Sequence, residues 1–354
     1  MALLRAANEL GFVGAMMGLP ITAQFISLSV MPLIFGPISD RVGKKKVIAI
    51  FMVVFIAGSF LACLRGSAVQ FLIGVFIIGA GYSVCECLVT ASISDIFAEN
   101  GEKYINLSQS FFCGGAIVSP LVLQALMDRF SASWRVSFLI CAIAMAVVFP
   151  VFLLIPADAA PKAEQTPHQT KIENPLLLLG FVLCMFVYVG IESGLAYFAD
   201  TVFTLELKAP SLGAYAIALF WAAMGLGRLF FGRIRKIPRY ATPVSLFFMA
   251  AIMIFITLLK QETAMLLLFA AAGLACSCIW PGIVNTAVTL NRGASGAVMS
   301  YLNLGAGIGG ALLPLVMGAM MDIAGISVAF LVLAILPVLT GIYIWRSLRK
   351  DCCN

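Results

Sequence analysis

Long apolar runs separated by short polar breaks fill this chain, at residues 11–38, 47–64, 69–94, 104–127, 136–155, 175–199, 211–232, 241–259, 264–289, 297–321 and 326–345. Each is near the ~20 residues that a helix needs to cross the hydrocarbon of a bilayer. The runs are continuous rather than alternating and carry Gly and Pro inside, which predicts helices and excludes the strands of a spanning barrel. About eleven transmembrane helices are expected. The one long polar stretch, 157–173, is rich in Pro, Ala and charge and reads as a cytoplasmic linker. It separates a half of five spans, 1–156, from a half of six, 174–350, with a short tail at 351–354.

The two halves repeat each other 194 positions apart. That offset carries Gly79 onto Gly273, Gly115 onto Gly309, Pro120-Leu121-Val122 onto Pro314-Leu315-Val316 and Asp128 onto Asp322. A period so long in an apolar chain marks the paired halves of secondary transporters rather than a solenoid. The run 175–199 maps onto positions before Met1, so the first half is expected to lack its leading helix.

Composition narrows the class further. With 62% hydrophobic and 11% charged residues over 354 positions, the chain has too little polar surface for a soluble domain. With the 41–46 loop placed in the cytoplasm, that side collects sixteen of the 22 Lys and Arg, Arg228 among them. The net charge of +6 is therefore a topology signal and not a nucleic-acid footprint. It predicts a multi-pass plasma (inner) membrane protein with an external N-terminus and a cytoplasmic C-terminus. The cysteines scatter among the spans, and the pairs Cys85/Cys87 and Cys276/Cys278 are spaced to point to different helix faces, so no metal site is expected. His168 lies in the linker and reads as a solvated residue rather than a proton relay. No nucleophile–base set, His-Glu-x-x-His or Cys-x-x-Cys pair appears, so neither an enzyme nor a cofactor is expected.

The segment Gly36-Pro37-Ile38-Ser39-Asp40-Arg41-Val42-Gly43-Lys44-Lys45-Lys46 resembles the signature loop of the major facilitator superfamily, which joins the second and third helices of that fold. The run Gly225–Lys236 resembles its counterpart in the second half, without the acid. The resemblance implies an all-α membrane protein of two pseudo-symmetric helical halves. It also implies a cytoplasmic gate in which Asp95, ending its span, pairs with the signature base, here Arg41, and in which Gly36, Asp40, Gly43 and Lys44 take part. The stretch from Gly79 through Asp95, the run Ile105–Phe112, Gly190-Ile191-Glu192 and Phe220-Trp221 look like the fucose permease branch, a group of sugar and proton symporters. In that branch a fourth-helix glutamate serves coupling, and Glu86 matches it in kind.

Charges inside apolar spans are costly and therefore functional suspects. Glu86 shares its span with Gly79, Ser83 and Thr90 along one face, and Glu192 has Tyr188 one turn before it. With no Lys or Arg at comparable depth in either span, both are expected to exchange protons near neutral pH. Tyr82, Gln109, Tyr188, Trp221, Trp280, Asn285, Tyr301 and Asn303 are the candidate solute contacts, supplying rings and neutral hydrogen bonds. Each alone is equally a packing residue. Together they suit a neutral polar solute better than an anion, which would require an embedded cation. The chain therefore reads as a secondary transporter for proton-coupled uptake of a sugar or other small neutral metabolite, against two alternatives: a drug or metabolite exporter, and a truncated membrane protein that transports nothing.

Overall fold

The computed structural model describes residues 9–11, 19–97, 99–130, 133–155, 172, 174–209, 212–234, 237–238, 240–291 and 294–350. The expected linker with His168, except Ile172, and the tail 351–354 lie outside the described residues. The helices are α1 (Leu19–Val42), α2 (Lys44–Cys63), α3 (Ala68–Ile96), α4 (Gly101–Phe130), α5 (Arg135–Leu154), α6 (Pro175–Thr201), α7 (Gly213–Arg233), α8 (Ala241–Leu258), α9 (Glu262–Cys276), α10 (Ile279–Thr289), α11 (Ser295–Ala324), α12 (Ile326–Leu333) and α13 (Ile335–Lys350). A π-helical turn, Val202–Glu206, extends α6.

Among the described residues, ten helical passes are long and apolar enough to cross a membrane, with α9–α10 and α12–α13 each making one pass. The 30-residue α4 occupies the place of the remaining expected span. The fold is all-α, and its outer surface is apolar: Leu154 is 84% and Leu176 83% exposed, and Ala142 is the buried residue of α5. Such a surface belongs in lipid.

The repeat reappears in the helix bounds. Adding 194 to α4 gives 295–324, the bounds of α11, and adding it to α3 gives 262–290, one residue past the extent of α9 with α10, 262–289. Two expected single spans are divided, and each division sits just before a proline. Pro281 and Pro337 have no N–H to offer the carbonyls of Ser277 and Leu333, four residues earlier, and the chain breaks at 277–278 and at Ala334.

The signature segment is not a loop. Residues up to Val42 are helical, Lys44 begins the next helix, and Gly43 alone makes the break at φ 103°. Only glycine adopts that backbone without strain. The second-half segment is likewise helical as far as Arg233.

The chain forms two compact units. The first comprises Met1–Ile96, Val118–Glu173 and Asn291–Leu304, and within it α3 packs on α1 and α2, and α2 on α5. The second comprises Phe97–Ile117, Asn174–Leu290 and Gly305–Asn354, with α7 on α9, α8 on α13, and α6 on α7 and α10. Close helix approach needs small residues, and a Cβ on Gly273 of α9 would overlap the Phe220 carbonyl of α7.

Candidate functional site

Within the first unit, a charged cluster forms where α1 ends and α11 begins. The Asp40 carboxylate accepts the main-chain N–H groups of Gly296 (3.1 Å) and Ala297 (3.0 Å), which are among the unpaired donors of the first turn of α11. Lys44 Nζ lies 3.0 Å from Asp40 Oδ1 and 3.0 Å from Asp95 Oδ2. The Ser295 hydroxyl donates to Asp95 at 2.8 Å. Glycine at 36 and 296 allows this approach: a Cβ on Gly296 would lie 2.7 Å from Asp40 Oδ1, and one on Gly36 would overlap Ser300. The base between the acids is Lys44, not Arg41, which is exposed. The break at Gly43 sets Lys44, the first residue of α2, beside Asp40 near the end of α1. Lys45 donates to the carbonyls of Leu153 (2.9 Å) and Ile155 and so caps the end of α5.

A second polar group of this unit lies at mid-helix. Glu86 Oε2 on α3 accepts from Asn303 Nδ2 on α11 at 3.2 Å. Tyr82 and Tyr301 present partly exposed rings, 36% and 40%. Cys87 approaches Ser300 at 3.8 Å while Cys85 points to the Ile48 carbonyl.

The second unit holds the other candidates, gathered around a residue that sequence reasoning misplaced. Arg228 sits in α7, 3% exposed, with Nη2 4.0 Å from Glu192 Oε1 of α6. Its Nη1 donates to the main-chain carbonyl of Gln109 (3.3 Å) and to Cys113 Sγ (3.3 Å), both on α4. Helical side chains lean toward the helix start, which carries the guanidinium away from the C-terminal end of α7. Glu192, expected to have no cation in its own span, thus has the buried Arg228 of α7 4.0 Å away. The apolar Leu229-Phe230-Phe231 after Arg228 was the signal, because a loop has no use for it.

Tyr188, fully buried, donates to the Cys276 carbonyl at 3.1 Å, and the Trp221 ring meets Phe112 edge-on at 6.3 Å. Trp280 is buried in the first turn of α10 and Asn285 is half-buried farther along it. Cys276 and Cys278 both face α8, toward Met249 and Ser245, because the break at Ser277 turns what an unbroken helix would point apart. Among the described residues no group of three His, Cys, Asp or Glu could hold a metal ion.

A family model described as the Major Facilitator Superfamily matches residues 1–261. A glucose/galactose transporter of Brucella abortus biovar 1 (strain 9-941) is 26% identical over 338 residues, 87% of this chain and 79% of that protein. The multidrug resistance protein MdtL of Klebsiella pneumoniae (strain 342) is 24% identical over 312 residues, 86% of this chain and 73% of the other. Among solved structures, the E. coli fucose:proton symporter FucP superposes with TM-score 0.80 at 19% identity, covering 97% of this chain and 92% of that one.

Proposed function

Because this chain belongs to the Major Facilitator Superfamily, a family of membrane transporters, we propose that it takes up a sugar or similar small polar metabolite together with protons, by alternating access. The observation that carries this reading is the mid-helix carboxylate of Glu86, which accepts a hydrogen bond from the Asn303 amide. The likeness to the glucose/galactose transporter supports the solute class. In this reading Glu86 and Glu192 take up and release protons. The candidate solute contacts are Tyr82, Tyr301 and Asn303 in the first unit and Gln109, Tyr188, Trp221, Trp280 and Asn285 in the second. Asp40, Lys44 and Asp95 form a cytoplasmic latch that fastens α1 and α3 to the start of α11.

Reconstituted protein under an inward proton gradient is expected to take up labelled glucose, galactose or a related solute with proton entry. Glu86→Gln should abolish accumulation while leaving solute exchange at equal pH. Unchanged accumulation by that variant would remove Glu86 from coupling. The likeness to MdtL favours export as the second reading, and loading the vesicles from inside tests it.

A further inference from the structure

Among the described residues, the buried Arg228 guanidinium finds fewer hydrogen-bond acceptors than it has donors. A guanidinium stays ionised at any physiological pH, and when buried it is ordinarily forked by a carboxylate at about 2.7–2.9 Å. Here Glu192 stands 4.0 Å off, beyond hydrogen-bond reach. One nitrogen, Nη1, is used, on a carbonyl and a thiol at 3.3 Å. Nε is buried and has no hydrogen-bond acceptor among the described residues. The Nε–Nη2 edge, the one that grips a carboxylate side-on, thus makes no hydrogen bond among the described residues, with Nη2 at ion-pair distance from Glu192. Were Arg228 present only to neutralise Glu192, that pair would close.

The neighbours suit the rest of a sugar acid. Trp221 lies two turns before Arg228 on the same face of α7, its ring held edge-on by Phe112, and offers a surface for a pyranose. The ionisable groups around Glu192 are Arg228 of α7, Tyr188 of its own helix, Cys276 of α9 and Cys113 of α4, so Arg228 is the cation among them.

We propose that Arg228 binds the carboxylate of an acidic sugar, a hexuronate, and that Glu192 takes up the accompanying proton. This rests on the carrier reading above and specifies its solute. The charges balance at each stage. Without solute, Arg228 and ionised Glu192 sum to zero. When the solute carboxylate occupies Arg228, one proton from outside water moves onto Glu192, and the sum is again zero. Both leave on the cytoplasmic side, so the proton on Glu192 offsets the charge of each monoanion.

The test compares glucuronate and galacturonate with glucose and galactose on the purified full chain, by thermal stabilisation in detergent and by uptake into proteoliposomes. The uronates are expected to stabilise the protein and to accumulate under an inward proton gradient. The parent hexoses should bind at least about tenfold more weakly, the loss of one charge-assisted fork. Arg228→Lys, which keeps the charge without the fork, should lose a similar factor, and Arg228→Gln more. Glu192→Gln should keep uronate binding and lose the response to the proton gradient. Uptake of hexoses that uronates neither compete with nor match overturns the proposal and leaves the carrier reading intact. Undiminished uronate binding by Arg228→Lys and Arg228→Gln overturns the assignment to Arg228. Uronate binding without uptake of any sugar upholds the site and overturns the carrier reading.

Discussion

Lys44 is the residue on which the charged cluster of the first unit turns. It is the bridge between Asp40, whose carboxylate is 3% exposed, and Asp95. Removing it leaves two carboxylates facing each other, and a buried acceptor deprived of its partner costs about 1–3 kcal/mol. Lys44→Gln is therefore expected to lower the thermal stability of the detergent-purified protein by that amount. Arg41→Gln, at an exposed position, should fall within about 0.5 kcal/mol of wild type. Equal losses in the two variants would return Arg41 to the cluster. The composition of this cluster was legible in the signature residues, but the identity of the base was not. Adjacent residues suggest a pair, while the break at Gly43 is what sets Lys44, at the start of α2, beside Asp40. For the same reason a run of three lysines reads as a membrane anchor, although Lys44 serves the acids and Lys45 caps α5.

At the scale of elements, apolar length sets where helices run and backbone chemistry sets where they break. The prolines at 281 and 337 were visible in the chain, and their missing donors account for the breaks four residues earlier. What no pattern reveals is which glycine faces a neighbour. Gly273→Ala would drive its Cβ into the Phe220 carbonyl, a backbone obstacle that cannot swing aside. A loss of at least about 2 kcal/mol in thermal stability is expected, at the upper part of the range for overpacking. Gly114, in α4, has nothing within 4 Å of the same virtual atom, so Gly114→Ala should raise stability by up to ~1 kcal/mol through helix propensity. Melting curves of the two variants should move in opposite directions.

For the whole molecule, the distribution of basic residues predicts an orientation that impermeant reagents can read. A cysteine placed at the exposed position 41 should react with a membrane-impermeant maleimide from the cytoplasmic side, and one at Glu262 from the outside. The reverse pattern would invert the topology. The sequence by itself determined the class: a bilayer demands long apolar helices, a repeat of 194 positions demands paired halves, and the same offset relates the bounds of α4 and α11. These are properties of runs and periods, and they survive the loss of any single contact. Only the tertiary structure decided which polar groups meet. It set Asn303 against Glu86 and brought Arg228 within 4.0 Å of Glu192, across 36 positions of chain. Such meetings depend on the rotation of one helix against another, which a hydrophobic run leaves open because lipid and protein interior reward the same side chains.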